Sequence, residues 1–305
     1  MIDYDRKNWI KAVSSFRGTA LQHATGRILA MTAYAFVLQA IYQTAVAQND
    51  THVTGMFTAL EPSSYAMLGT FLGFLLVFRM NASNGRYWDG RGAWGQIINA
   101  SRNLVRVGTA YTNNGGQLAD LVSGYAICLR RSLQGYFDMH EAEDFLSVEL
   151  CRRAVMFGNP PTAVAYAISE WIEKELRTGR HDPQLMLIME DQLSKLVDAQ
   201  GACEKIRKTP LPFVYVVMLR QLILVYLFAL PFALAAHCGW WGPVVMAMAA
   251  LSLFGIEEAS VEIEDPFGTE ENCLDMAAYT LTIARDTGQM AAHKTSSQVL
   301  VDAGE

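Results

Sequence analysis

The sequence predicts an all-α membrane protein with four transmembrane helices continuous with a helical, water-exposed domain. Three observations predict it. The 305 residues are 51% hydrophobic and only 18% charged, too apolar for a typical soluble chain and too charged to lie wholly in lipid. Long apolar runs come in pairs near the two ends of the chain, and between them apolar residues recur at helical spacing. Within residues 79–208 β-branched alternation is scarce.

The elements follow in chain order. Residues 1–27 form an N-terminal segment on the cytosolic side. Within it, residues 4–24 place Trp9, Ile10, Val13, Phe16 and Leu21 among Lys and Arg, the pattern of an amphipathic helix that lies on a membrane surface or packs as an ordinary helix. Residues 28–78 hold the first two membrane helices. Ile28–Val46 carries no charge and is long enough to cross a hydrocarbon core of about 30 Å. A polar loop is expected over residues 47–59, and Pro62 then suits the first turn of a new helix running to Phe78.

Residues 79–209 read as a cytosolic domain of four or five helices with nearly balanced charge, punctuated by Pro160–Pro161, residues 178–183 and Pro210. Its helical stripes include Leu118, Leu121, Val122, Tyr125 and Leu129, and later Leu185, Leu187, Ile188, Leu193, Leu196 and Val197. Residues 210–262 hold membrane helices three and four. His237–Gly239 is read as the turn between them, and Trp240 and Trp241 suit an interfacial aromatic belt. The charged stretch after Ile256 extends the fourth helix out of the membrane. Residues 263–305 are a C-terminal cytosolic helix and tail.

All 24 Lys and Arg lie outside residues 47–59 and 237–241. The positive-inside rule therefore places both termini and the large domain in the cytoplasm, with the chain in the cell membrane. The formal net charge of -6 gives no reason to expect a nucleic-acid partner. The five cysteines show no CxxC or Cys/His spacing, and no Walker loop, HExxH or GxSxG occurs. No enzyme activity, metal or cofactor is expected.

Ala66, Thr70, Phe74 and Phe78 share one face of the second membrane helix, beside a small-xxx-small pair, Gly69 and Gly73. Such a stripe is either core or the wall of a pore between copies of the chain. Farther on, Glu258, Glu262 and Asp265 fall on one helix face. They read either as a solvated helix end or as partners, within or between subunits, for Arg86, Arg91, Arg102 and Arg106.

The block RYWDGRGAWGQIINASRNLVR resembles the signature that follows the second membrane helix in bestrophins. TPLPFVYVVMLRQLILVYLFALPFAL and EEASVEIEDPFGTEEN are similar to two further blocks of that family, and the length matches its prokaryotic members. The resemblance spans about Trp9 to His293. It implies a homopentameric channel in the lipid bilayer that passes monovalent ions along its fivefold axis. Counting back from Trp94–Gly95, it puts the pore neck on Thr70, Phe74 and Phe78. Asp182–Pro183 puts the cytosolic aperture on Gln184, a polar residue where the family usually has an aliphatic one. After Gly268 only Glu270 and Glu271 remain of the acidic run with which animal members bind calcium, so no calcium dependence is expected. Phe ring edges favour anions such as chloride. A sodium-type cation channel of the same fold is the alternative, because some bacterial members resemble cation channels in behaviour. A non-conducting, membrane-anchored interaction module is the rival from another class.

Overall fold

The computed structural model describes residues 10, 18–19, 21–59, 61–178 and 182–302. The amphipathic reading of residues 4–24 lies almost entirely outside them. The described residues form helices and no strand. In order these are α1 (Leu21–Ala47), α2 (Thr51–Phe57), α3 (Pro62–Tyr111), α4 (Gly115–Leu133), α5 (Val148–Met156), α6 (Pro160–Arg177), α7 (Pro183–Lys208), α8 (Phe213–Cys238), α9 (Gly242–Glu264) and α10 (Met276–Asp302). Short 3-10 turns occupy His140–Ala142 and Gly239–Trp241.

Among the described residues three stretches are long and apolar enough to cross a membrane, Gln22–Ala47, Thr51–Tyr111 and Phe213–Glu264. The third is folded back on itself by the turn at Gly239–Trp241, so it supplies two helices. Gly239 adopts a φ of 54°, which a side chain would resist. Trp240 and Trp241 are exposed on this turn.

The chain divides into two compact units. The first contains residues up to Tyr87, Pro210–Asp265 and Glu270–Asn272. Its core is built by Tyr65, Leu72 and Leu76 from α3, Leu219, Ile223 and Leu227 from α8, and Met246, Ala250 and Phe254 from α9. The outward sides of these helices stay apolar, with Leu29, Phe36, Val37, Phe71, Val225, Phe228, Met248 and Leu251 exposed. An apolar exterior on an apolar bundle is what lipid selects.

The loop expected over residues 47–59 is instead the helix α2. Asp50 caps it, accepting from the backbone N–H groups of His52 and Val53 at 3.0 and 3.1 Å. Phe57 is buried between Tyr42 and Phe232, 5.1 Å from each ring centre. The capping bonds and one aromatic anchor outweigh the polar composition of the segment. The fourth membrane helix continues through its charged residues to Glu264, as its sequence indicated.

The second unit contains Trp88–Thr209, Pro266–Thr269 and residues from Cys273 onward. Trp94, Ile97, Leu104, Leu118, Val122, Tyr125, Leu129, Ile168, Leu196 and Ile283 are buried in it. Of the first predicted stripe only Leu121 is half-exposed; in the second, Leu187, Ile188 and Val197 are exposed while Leu193 and Leu196 are buried. The long α7 thus has an apolar flank, Leu187, Ile188 and Val197, left exposed among the described residues. Tyr125 donates to Gln200 at 2.8 Å, and Gln200 donates in turn to Thr162 at 2.9 Å and Glu204 at 2.7 Å.

All five cysteines are free thiols. Burial, reinforced by neighbouring sulfur or carboxylate charge, pushes Cys128 and Cys203 up to about 12. Cys151 is raised for the same reasons, and Cys273 is buried. Cys238 alone is half-exposed.

Candidate functional site

Within the first unit, α3 has two unlike sides. Tyr65, Leu72, Leu76, Arg79 and Ser83 face inward and are buried. Thr70, Phe71, Phe74 and Phe78 face outward. Phe74 is 62% exposed and Phe78 64%, so the stripe is not core of this chain. Thr70, Phe74 and Phe78 stand four residues apart, about 6 Å along the axis at each step. The Thr70 hydroxyl donates to the Ala66 carbonyl at 2.8 Å.

The two glycines have different surroundings. A Cβ on Gly69 would come within 2.7 Å of the Tyr226 hydroxyl, so this glycine lets α8 approach α3 inside the chain. A Cβ on Gly73 would meet nothing within 4 Å.

The acidic end of α9 is organised around Glu257. Its side chain is 1% exposed and accepts from Arg220 at 2.8 Å. Arg79 of α3, also 1% exposed, lies 3.3 Å from the same oxygen, and Arg27 of α1 lies 3.5 Å from the other. Glu258 pairs with Arg27, whose guanidinium also stacks over Phe254 at 5.2 Å. Arg79 donates to Ser260 at 3.1 Å, and Ser260 is bonded to Ser83. Three guanidinium groups and the carboxylates of Glu257, Glu258 and Glu264 therefore meet in one nearly neutral cluster, centred on the buried pair Arg79 and Glu257 and opening outward at Arg27 and Arg220. A charge in such a place is tolerable only when paired and hydrogen-bonded.

Within this chain the cluster draws on arginines outside the expected set. The partners of the cluster are Arg27, Arg79 and Arg220, which spacing alone does not bring together. Arg86 donates to the Glu264 carbonyl at 3.0 Å. Glu262 accepts from Asn272 at 2.9 Å, and the same amide donates to the Gly18 carbonyl at 2.8 Å. Asp265 terminates α9. Among the described residues no three His, Cys, Asp or Glu side chains are grouped to hold a metal ion.

In the second unit, Arg91 stacks over Tyr279 at 4.9 Å, and Arg102 forms a two-pronged bond to Asp286 at 2.6 and 2.8 Å. Within this chain, then, Arg91 and Arg102 are engaged by Tyr279 and Asp286. Arg106 makes no hydrogen bond or ion pair among the described residues. Gln184 sits in the first turn of α7, its backbone N–H donating to the capping Asp182 at 2.9 Å. Its exposed side chain borders a cleft of about 530 Å³ with Arg106, Val107, Tyr111, Leu185 and Ile188.

The Asp286 site gives a pH prediction. Burial opposes its charge, yet hydrogen bonds from Arg102 and Arg285 hold its carboxyl below the usual range. A depressed carboxyl contributes stability above its unfolded value of about 3.9 and loses that contribution as pH falls through the folded value. Thermal unfolding of Asp286→Asn should therefore show a deficit at pH 6 that shrinks below about pH 4. A deficit independent of pH would mean the ion pair contributes nothing.

A family model described as Bacterial/Fungal Bestrophin protein matches residues 1–289. A voltage-dependent anion channel-forming protein of Nostoc is 29% identical over 300 residues, covering 94% of this chain and 93% of the relative. One from Synechocystis is 33% identical over 213 residues, 67% of this chain and 69% of the relative. A crystal structure of a bacterial bestrophin homologue from Klebsiella pneumoniae has the same fold, with a TM-score of 0.79 at 23% identity, over 88% of this chain and 98% of that one.

Proposed function

This chain belongs to the bacterial and fungal bestrophin family, and from that premise we propose that it is an anion channel assembled from five copies around a central pore. It is a membrane protein of the bestrophin fold. In this reading the pore neck is the Thr70, Phe74 and Phe78 stripe, and the cytosolic aperture lies at Gln184. The single observation that supports it most is the outward stripe of α3, two phenylalanines and a threonine that the chain's own core leaves uncovered. The names of its relatives, anion channel-forming proteins, supply the ion class.

The chemistry of the neck agrees with that sign. Phenylalanine ring edges carry partial positive charge and turn toward an anion at low cost in a narrow, dehydrated passage. The acidic residues that favour a cation channel lose weight here, because Glu257 and Glu258 are matched by Arg27, Arg79 and Arg220. The positive-inside pattern supports the cell membrane as location and a cytoplasmic second unit.

Purified protein in a planar bilayer under a threefold potassium chloride gradient tests the sign. The reversal potential should lie near the chloride equilibrium potential and shift when chloride on one side is replaced by gluconate. A reversal near the potassium potential makes it a cation channel, and absence of current favours a non-conducting anchor.

A further inference from the structure

The second unit holds a cleft that the proposed channel function does not use. It measures about 680 Å³ and lies between the end of α3 and α10. Arg106, Thr109 and Ala110 line it from α3, and Gln289, Met290 and Lys294 from α10. The size falls within the range of about 300–1,000 Å³ usual for small-molecule sites.

Two of its groups are unspent. Arg106 has no polar partner among the described residues. The Thr109 hydroxyl belongs to a residue only 6% exposed, and it too makes no hydrogen bond. A buried hydroxyl without a partner is costly, and the commonest remedy is a ligand or water that supplies one. Lys294 donates to the Thr109 carbonyl at 2.6 Å and to the Thr112 carbonyl, which leaves one of its three hydrogens for the cleft.

The field in the cleft is positive. Its one carboxylate, Asp286, is engaged by Arg102 and Arg285. Its depressed ionisation keeps it charged and committed to those two arginines. Arg106, which also borders the neighbouring cleft with Asp182, and Lys294 thus supply the charge that acts on the remaining space. We propose that this cleft binds a small organic carboxylate, with Arg106 as the two-pronged partner of the carboxylate, Thr109 and Lys294 as further donors, and Met290 and Ala110 against the carbon chain. A planar guanidinium fork matches the two oxygens of a carboxylate. The site has no cluster of backbone N–H donors of the kind that cradles a phosphate, and its wall includes apolar surface. Binding does not depend on the channel reading.

Butyrate is a suitable probe, because it is short enough to stay out of detergent micelles. The assembled protein is titrated at constant total of sodium chloride plus sodium butyrate, with Tm as the readout. A saturable rise in Tm is expected with butyrate and none with butyramide, its uncharged isostere. Arg106→Gln should weaken the apparent affinity about tenfold or more, the scale of a lost charged hydrogen bond. Thr109→Val, close in shape, should weaken it severalfold. Without butyrate, Arg106→Gln should keep the Tm of the parent protein and Thr109→Val should match or exceed it, because it removes a buried hydroxyl that has no partner. The proposal is overturned by no saturable response, by an equal response to butyramide, or by parent-like affinity in both variants. Tighter binding of inorganic phosphate than of butyrate overturns the carboxylate class. Should one variant fail to fold, the other still decides.

Discussion

Glu257→Leu should destabilise the protein by about 3–5 kcal/mol, the cost of stripping a buried charge of its partner. Three arginines approach Glu257, but they do not suffer equally. Arg27 and Arg220 are 41% and 51% exposed and keep access to polar surroundings. Arg79 is 1% exposed, and its remaining contacts are Ser260 and a distant Glu264 oxygen at 3.9 Å. The loss therefore falls chiefly on Arg79, and removing Arg79 as well should relieve most of it. The double variant Arg79→Leu, Glu257→Leu, compared with each single one by denaturant unfolding in mild detergent, gives the coupling directly. A single-variant loss below about 1 kcal/mol would place these groups in contact with water and make the cluster a surface feature.

The second large effect is on transport. Phe74→Ala should raise ion flux through liposomes at least severalfold, because it removes the middle ring of the proposed neck. Within one chain Phe74 is largely exposed, so the same change should leave the fold of the chain intact. That separation gives the test its force. Unchanged flux would mean that Phe74 does not constrict the pathway. Lost flux with an intact fold would mean that the ring assists conduction, a different role from a barrier.

The legible parts of this protein are those written in short-range pattern. The apolar runs announced the membrane helices by length, and the four-residue spacing of Thr70, Phe74 and Phe78 placed them on one side of α3 before any coordinates. The helix α2 was hidden because a seven-residue segment is too short to show a period, although Asp50 ahead of it is a good cap. The partners of Glu257 were hidden for a different reason. Arg27 stands 230 residues away along the chain, and only the packing of α1 on α9 joins them. An arginine directly after Phe78, at the edge of an apolar run, was the available sign that α9 must supply a buried carboxylate. Gly69 and Gly73 look alike in sequence, yet only the arrival of Tyr226 distinguishes them. The unpartnered hydroxyl of Thr109 has no signature at all, since it is defined by what fails to reach it.

The unequal burial of the thiols has a practical side. Thiolate reagents need an accessible sulfur, and four of the five here are enclosed. Cys238, at the end of α8, is the natural point of attachment for a spin label in the unmodified protein. One label per chain turns stoichiometry into a distance measurement. A regular ring of five copies contains just two label separations, in a ratio of about 1.6, whereas a twofold pair contains one. Pulsed magnetic resonance on Cys238 thus counts the subunits without cross-linking them.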